Sequence, residues 1–136
     1  MCLRVTRENA TGKYIKKDTT VYVGRDVGPT GMITSPYTSH HWQLGEMQVD
    51  INKMEWGVYM DTDRAISRGA FHSFPTLEDA KKYFKRELEA NHYFSIFSAT
   101  IPVRSEYWEG TTYSGADKTY FPSIASKKLR LDERVT

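Results

Sequence analysis

Cysteine is almost missing: Cys2 is the only one in 136 residues. A lone thiol cannot close an intramolecular disulfide or build a cysteine cage for a metal ion. Long apolar runs are missing too, and no segment reads as a secretory signal, so the chain is expected to be cytoplasmic with no membrane association. A dominant charge is the third absence. Nineteen basic residues stand against 17 acidic ones, which leaves +2 and no strong nucleic-acid signal. The balance is uneven, because in residues 1–25 six cations (Arg4, Arg7, Lys13, Lys16, Lys17 and Arg25) face only Glu8 and Asp18. That excess can receive phosphates or form a solvated face.

Catalytic patterns are also lacking. His40 and His41 are adjacent, so in a strand they point to opposite faces, and no His-Glu-x-x-His spacing joins them to His72 or His92. No glycine-rich run precedes a helix to cradle a phosphate, and no serine sits in a nucleophile elbow. Asp61, Asp63, Glu78 and Asp79 are explained by loop solvation and helix capping. No catalytic residue, metal or cofactor is assigned on this basis.

Aromatic residues are plentiful: nine Tyr, six Phe and three Trp. Strand-forming runs occur at Met1–Val5, Thr19–Arg25, Met32–Thr34, Met47–Ile51, Trp56–Met60, Tyr93–Ile101 and Asp117–Phe121. Met47-Gln48-Val49-Asp50-Ile51 alternates cleanly and reads as half-buried, while Tyr107-Trp108-Glu109-Gly110 reads as the approach to a turn. Pro75 and Thr76 open one helix, with a hydroxyl N-cap and two carboxylates in its first turn. Ala80, Tyr83, Phe84, Glu87 and Leu88 then fall on one face, and Asn91 reads as a left-handed stop. The expectation is an α+β fold: a mostly antiparallel β-sheet with one main amphipathic helix, about 77–90, packed on it. Residues 1–125 form a single domain, followed by a charged, frayed tail at 126–136.

Three aromatic patches lie close to basic residues: Tyr37, His40, His41 and Trp42; Phe71, His72 and Phe74; and Arg104, Tyr107 and Trp108. Rings stack on nucleobases while guanidinium groups hold phosphate, so such patches can wall a nucleotide pocket, although rings of this kind also serve as core. The candidate ligand-binding residues are Arg4, Arg25, Tyr37, Trp42, Phe71, His72, Arg104 and Trp108. His72 also reads as a core histidine with a satisfied hydrogen bond.

Four segments in order resemble a group of small phage and prophage proteins. They are Met1-Cys2-Leu3; Ser35-Pro36-Tyr37 with Trp42 and Gly45; Gly69 with Phe71-His72-Ser73-Phe74, where Ala70 is an insertion; and Ile101-Pro102-Val103-Arg104-Ser105-Glu106-Tyr107-Trp108-Glu109-Gly110. In size and build the chain is similar to phage sponges that counter Thoeris and CBASS immunity. The resemblance implies a non-enzymatic, homo-oligomeric anti-defence protein in the host cytoplasm, which sequesters a cyclic nucleotide or cyclic ADP-ribose-type signal. Two alternatives stay open: an anti-CRISPR-like protein–protein inhibitor of a host defence complex, or an enzyme cleaving such a signal with His72 or His41 as general base.

Overall fold

The structure, a computed structural model, describes residues 3–6, 10–35, 40–58 and 63–136. Its first strands are β1 (Arg4–Thr6), β2 (Lys13–Tyr14), β3 (Thr19–Val27), β4 (Ile33–Thr34), β5 (His41–Trp42) and β6 (Met47–Val49). There follow β7 (Glu55–Val58), β8 (Asp63–Arg68), β9 (Phe71–Ser73), α1 (Leu77–Tyr83) and α2 (Lys85–Ala90). The chain closes with β10 (Phe94–Ile101), β11 (Glu106–Ser114), β12 (Thr119–Ser126) and β13 (Lys128–Arg134). Among the described residues, no helix is long and apolar enough to cross a membrane.

Two antiparallel sheets carry these strands. The first runs β7-β8-β1-β11-β12-β9, with β2 paired to the start of β11, and the second runs β5-β4-β3-β10-β13-β6. Tyr22 and Phe74 exchange two 2.8 Å backbone hydrogen bonds, which tie β3 to the chain just past β9 and join the sheets. Lys127 turns the chain from β12 in one sheet to β13 in the other. Its ammonium donates to the carbonyls of Asn52 and Gly69 at 2.6 and 2.7 Å.

The core follows from the pairing of β3 with β10, which registers Thr19–Asp26 against Ile101–Phe94. Val21, Val23, Phe97, Ala99 and Ile101 point to one side, where Trp42, Ile124, Leu129 and Leu131 meet them. Phe94 and Ile96 point to the other side, under Ala80 and Phe84 of the helical segment. Every residue of β10 is buried. Gly24 makes room for that second layer, since a Cβ there would stand 2.9 Å from the Phe84 ring. A third cluster, Leu3, Val5, Ile66, Trp108 and Ala125, lies on the first sheet.

The expected α+β class, with helix packed on antiparallel sheet, is what the structure shows. Thr76 caps the helix as expected, its hydroxyl accepting from Asp79 N–H at 3.2 Å. The helical run divides at Phe84 (φ −94°, ψ 18°), whose buried ring anchors the joint between α1 and α2. Asn91 does not stop the helix in the left-handed region. It is extended (φ −133°), and its side-chain oxygen accepts from Tyr93 N–H at 3.0 Å, so the stop is a side-chain turn.

Three other expectations are corrected. The tail does not fray: β13 lies between β10 and β6, with Leu129 and Leu131 fully buried among charged neighbours that point outward. On β6 the alternation runs opposite to expectation. Gln48 registers with buried Leu129, which leaves Met47, Val49 and Ile51 exposed. Gly110 belongs to the middle of β11 rather than a turn, where the Arg4 carbonyl crosses too close for any Cβ.

The buried tail strand yields a direct test. Leu131→Ala should cost about 2–5 kcal/mol, as large-to-small core changes do. Urea unfolding would read this as a lower midpoint at unchanged slope, whereas an unchanged midpoint would mean that β13 is peripheral.

Candidate functional site

Strand alternation builds the site from β3. Val21 and Val23 face the core between the sheets, and a period of two carries Arg25 to the same side. Arg25 is only 7 % exposed, so a guanidinium occupies a position that the strand pattern gives to an apolar side chain. One of its N–H groups donates to the Gly24 carbonyl at 2.7 Å. Its Cζ lies 4.6 Å from the centre of the Trp42 ring, a stacking worth about 0.5–2 kcal/mol. Directly across the β3–β10 ladder is Ser95, which is buried.

Rings surround the guanidinium. Trp42 meets Phe71 edge to face at 5.1 Å and His40 at 5.3 Å, and His40 lies 6.4 Å from Phe71. β5 brings Trp42 there by pairing it with Ile33, and β9 brings Phe71 by pairing it with Ser126. His40 is exposed, and its Nε2 is 3.0 Å from Gln48 Oε1, which ties the rim of the cluster to β6. Arg25, Trp42 and Phe71 of the expected residues therefore converge. Tyr37 lies outside the described residues.

His72 follows Phe71 on β9 but occupies the other face. It registers with Ala125, which in turn registers with Trp108. Its Nδ1 is buried without a hydrogen-bond partner, unlike the satisfied core histidine the sequence suggests. Desolvation by burial, reinforced by neighbouring positive charge that includes Arg25, lowers its pKa to about 4.

The remaining expected residues stand apart. Trp108 is buried in the third core cluster, its indole N–H donating to the Ala10 carbonyl at 3.2 Å and its ring edge-on to Trp56. Arg104 is exposed on the turn after β10, at φ 73°, beyond the Ile101–Thr19 pair. Arg25 lies six residues up the same ladder from Thr19, roughly 20 Å away at strand rise. Arg4 donates to the Tyr120 hydroxyl at 2.7 Å and stacks over that ring at 5.0 Å, beside Tyr113. Its neighbourhood is the face of the first sheet.

A separate cleft of about 460 Å³ lies between the helical segment and the β11–β12 turn. Lys82, Lys85 and Arg86 line it together with Glu87, Glu89 and Asp117, so its charges balance. Lys82 is already paired with Glu78 at 3.0 Å. Among the described residues, no three His, Cys, Asp or Glu side chains gather as a metal site requires.

Ser95 is the member of the cluster that the sequence does not single out, whereas His40 falls in the patch of Tyr37 and Trp42 without being among the eight candidate binding residues. Ser95 is recognisable only from register, which no local pattern supplies. His40 can be found by its two-residue spacing from Trp42, which places both on one face.

The His72 shift sets a pH dependence. The unfolded chain takes up a proton near pH 6.5, whereas the folded chain waits until about pH 4, so the unfolded state binds more protons between these values. Stability therefore falls as pH drops through that window, by up to about 3 kcal/mol. In denaturant titrations at pH 7, 5.5 and 4, His72→Gln should lose this part of the slope. Parallel profiles for the two proteins would contradict it.

Against known proteins, no family model matches the chain, no curated protein matches it, and no solved structure matches it.

Proposed function

We propose that the protein is a non-enzymatic phage anti-defence factor that binds and sequesters a nucleotide-type signal, of the cyclic nucleotide or cyclic ADP-ribose kind, as a homo-oligomer in the host cytoplasm. The observation that carries this reading is the buried Arg25 guanidinium stacked on Trp42, within a collar made by Phe71 and His40. A guanidinium supplies fixed donors for phosphate, and the rings offer faces and edges to a base. Tight capture without turnover requires only such preorganised contacts. The phage setting rests on the four ordered sequence segments.

Thermal-shift screening with cyclic dinucleotides, cyclic trinucleotides and cyclic ADP-ribose isomers tests the proposal, with native mass spectrometry giving stoichiometry. A ligand at a hundred times its Kd stabilises by about 2.7 kcal/mol, which reads as several degrees. His40→Ala and Phe71→Ala should reduce the shift, and the ligand should be recovered chemically intact. Recovery of a cleaved product would replace the sponge with an enzyme, and no shift across the panel would overturn the nucleotide reading.

One observation favours a second reading, inhibition of a host protein complex. Tyr113 and Tyr120 are 45 % and 49 % exposed with their rings 5.0 Å apart, and Arg4 stacks on Tyr120. Exposed tyrosine beside arginine is the composition of binding hot spots. On this reading Tyr120→Ala abolishes capture of one specific host protein. Capture that survives the substitution would exclude this face.

A further inference from the structure

Beside the Arg25–Trp42 stack lie two buried polar atoms that the nucleotide reading leaves unused. Ser95 is 1 % exposed and faces Arg25 across the ladder, and its Oγ has no hydrogen-bond partner. Trp42 is 4 % exposed, lies against the Arg25 guanidinium, and its Nε1 also has no partner. Buried polar side chains are nearly always satisfied, so two unpartnered groups next to one buried cation form a concentrated exception.

The chemistry of the three groups is one-sided. A guanidinium and an indole N–H only donate, and a serine hydroxyl can donate as well. Their common complement is a group made only of acceptors. A base edge mixes donors with acceptors and would leave part of this set unmatched. Removing a buried anion from water is costly, and a buried guanidinium offsets that cost most directly.

We propose, building on the reading of this cluster as the ligand site, that Arg25, Trp42 and Ser95 form a subsite for an oxyanion. It takes the phosphate or carboxylate of the ligand, while Phe71 and His40 meet the remainder. Ser95 is then a binding residue. In the ligand-free protein its hydroxyl is a cost, which the anion removes.

The full chain titrated with inorganic phosphate, pyrophosphate and acetate tests this, followed by the indole N–H resonances in ¹H–¹⁵N spectra. The chain has three tryptophans, and the Trp42 signal is the one lost in Trp42→Phe. Saturable movement of the Trp42 signal is expected, while Trp108, already bonded to the Ala10 carbonyl, stays in place. Phosphate and pyrophosphate acting without acetate would identify a phosphate subsite, and acetate alone a carboxylate one.

Ser95→Ala should weaken anion binding about tenfold or more, as loss of a hydrogen bond to a charge does. It should leave the ligand-free Tm unchanged or higher, because it deletes an unpartnered hydroxyl. Ser95→Cys keeps the size with a weaker donor and should weaken binding in the same direction. The proposal is overturned if none of the three anions moves Trp42, or if both Ser95 variants bind the anion as the native chain does. A large drop in Tm for Ser95→Ala, with Trp42 unmoved, would give the groups to a structural water instead.

The two readings can fail separately. Cyclic nucleotide binding with a Trp42 signal blind to simple anions would remove the subsite and leave the nucleotide reading standing. Anion binding at Trp42 without any nucleotide binding would do the reverse.

Discussion

Strand β10 is buried on both faces, and the rest of the molecule is arranged to cover it. Phe97, Ala99 and Ile101 require one apolar layer, and Phe94 and Ile96 require another. The first sheet supplies one layer and the α1–α2 segment supplies the other. Burial of this kind stabilises by about 25 cal/mol per Å² of apolar surface removed from water, so a strand covered on both sides anchors the fold more than a half-buried one does. The Tyr22–Phe74 bridge and the Lys127 corner bring the covering elements into place.

The same ladder explains why a cation is buried. Along β3 the positions facing this core include Val21, Val23, Arg25 and Val27, and of these four only Arg25 departs from the apolar pattern. The strand pattern gives that position to an apolar side chain, and burying a charge costs several kcal/mol unless it is well paired. Stacking on Trp42 and donation to the Gly24 carbonyl are among the contacts that offset that cost. Local rules that a sequence breaks, with the break supported by its surroundings, are characteristic of binding sites.

Much of this architecture can be read from residue patterns. The β3 and β10 runs, the Thr76 cap and the helical face around Ala80 and Phe84 are local signals, and the structure contains each of them. What escapes the sequence is set by pairing at long range. The last eleven residues look too charged to form a core strand, yet Leu129 and Leu131 alone suffice once β10 and β6 flank them. Met47, Val49 and Ile51 look buried, but register with β13 turns Gln48 inward. For the site, inspection of types and spacing groups Trp42 with its histidines and Phe71 with His72. Only the sheet closure brings Trp42, Phe71 and Arg25 together, and only it separates Arg104 and Trp108 from them. Ser95 gives no local signal for the same reason.

Arg25→Met is the most direct test of whether the buried cation is there for a ligand. Methionine fills a similar space against Trp42 and Phe71 without charge, and exchanging a buried ion for a packed apolar side chain is often neutral or stabilising. Calorimetric titration and thermal unfolding of this variant beside the native chain give both quantities needed. The expected result is a ligand-free Tm equal to or above the native value together with loss of measurable ligand binding. A variant that unfolds many degrees earlier, or one that binds as the native chain does, would make Arg25 a structural residue and remove it from the ligand site.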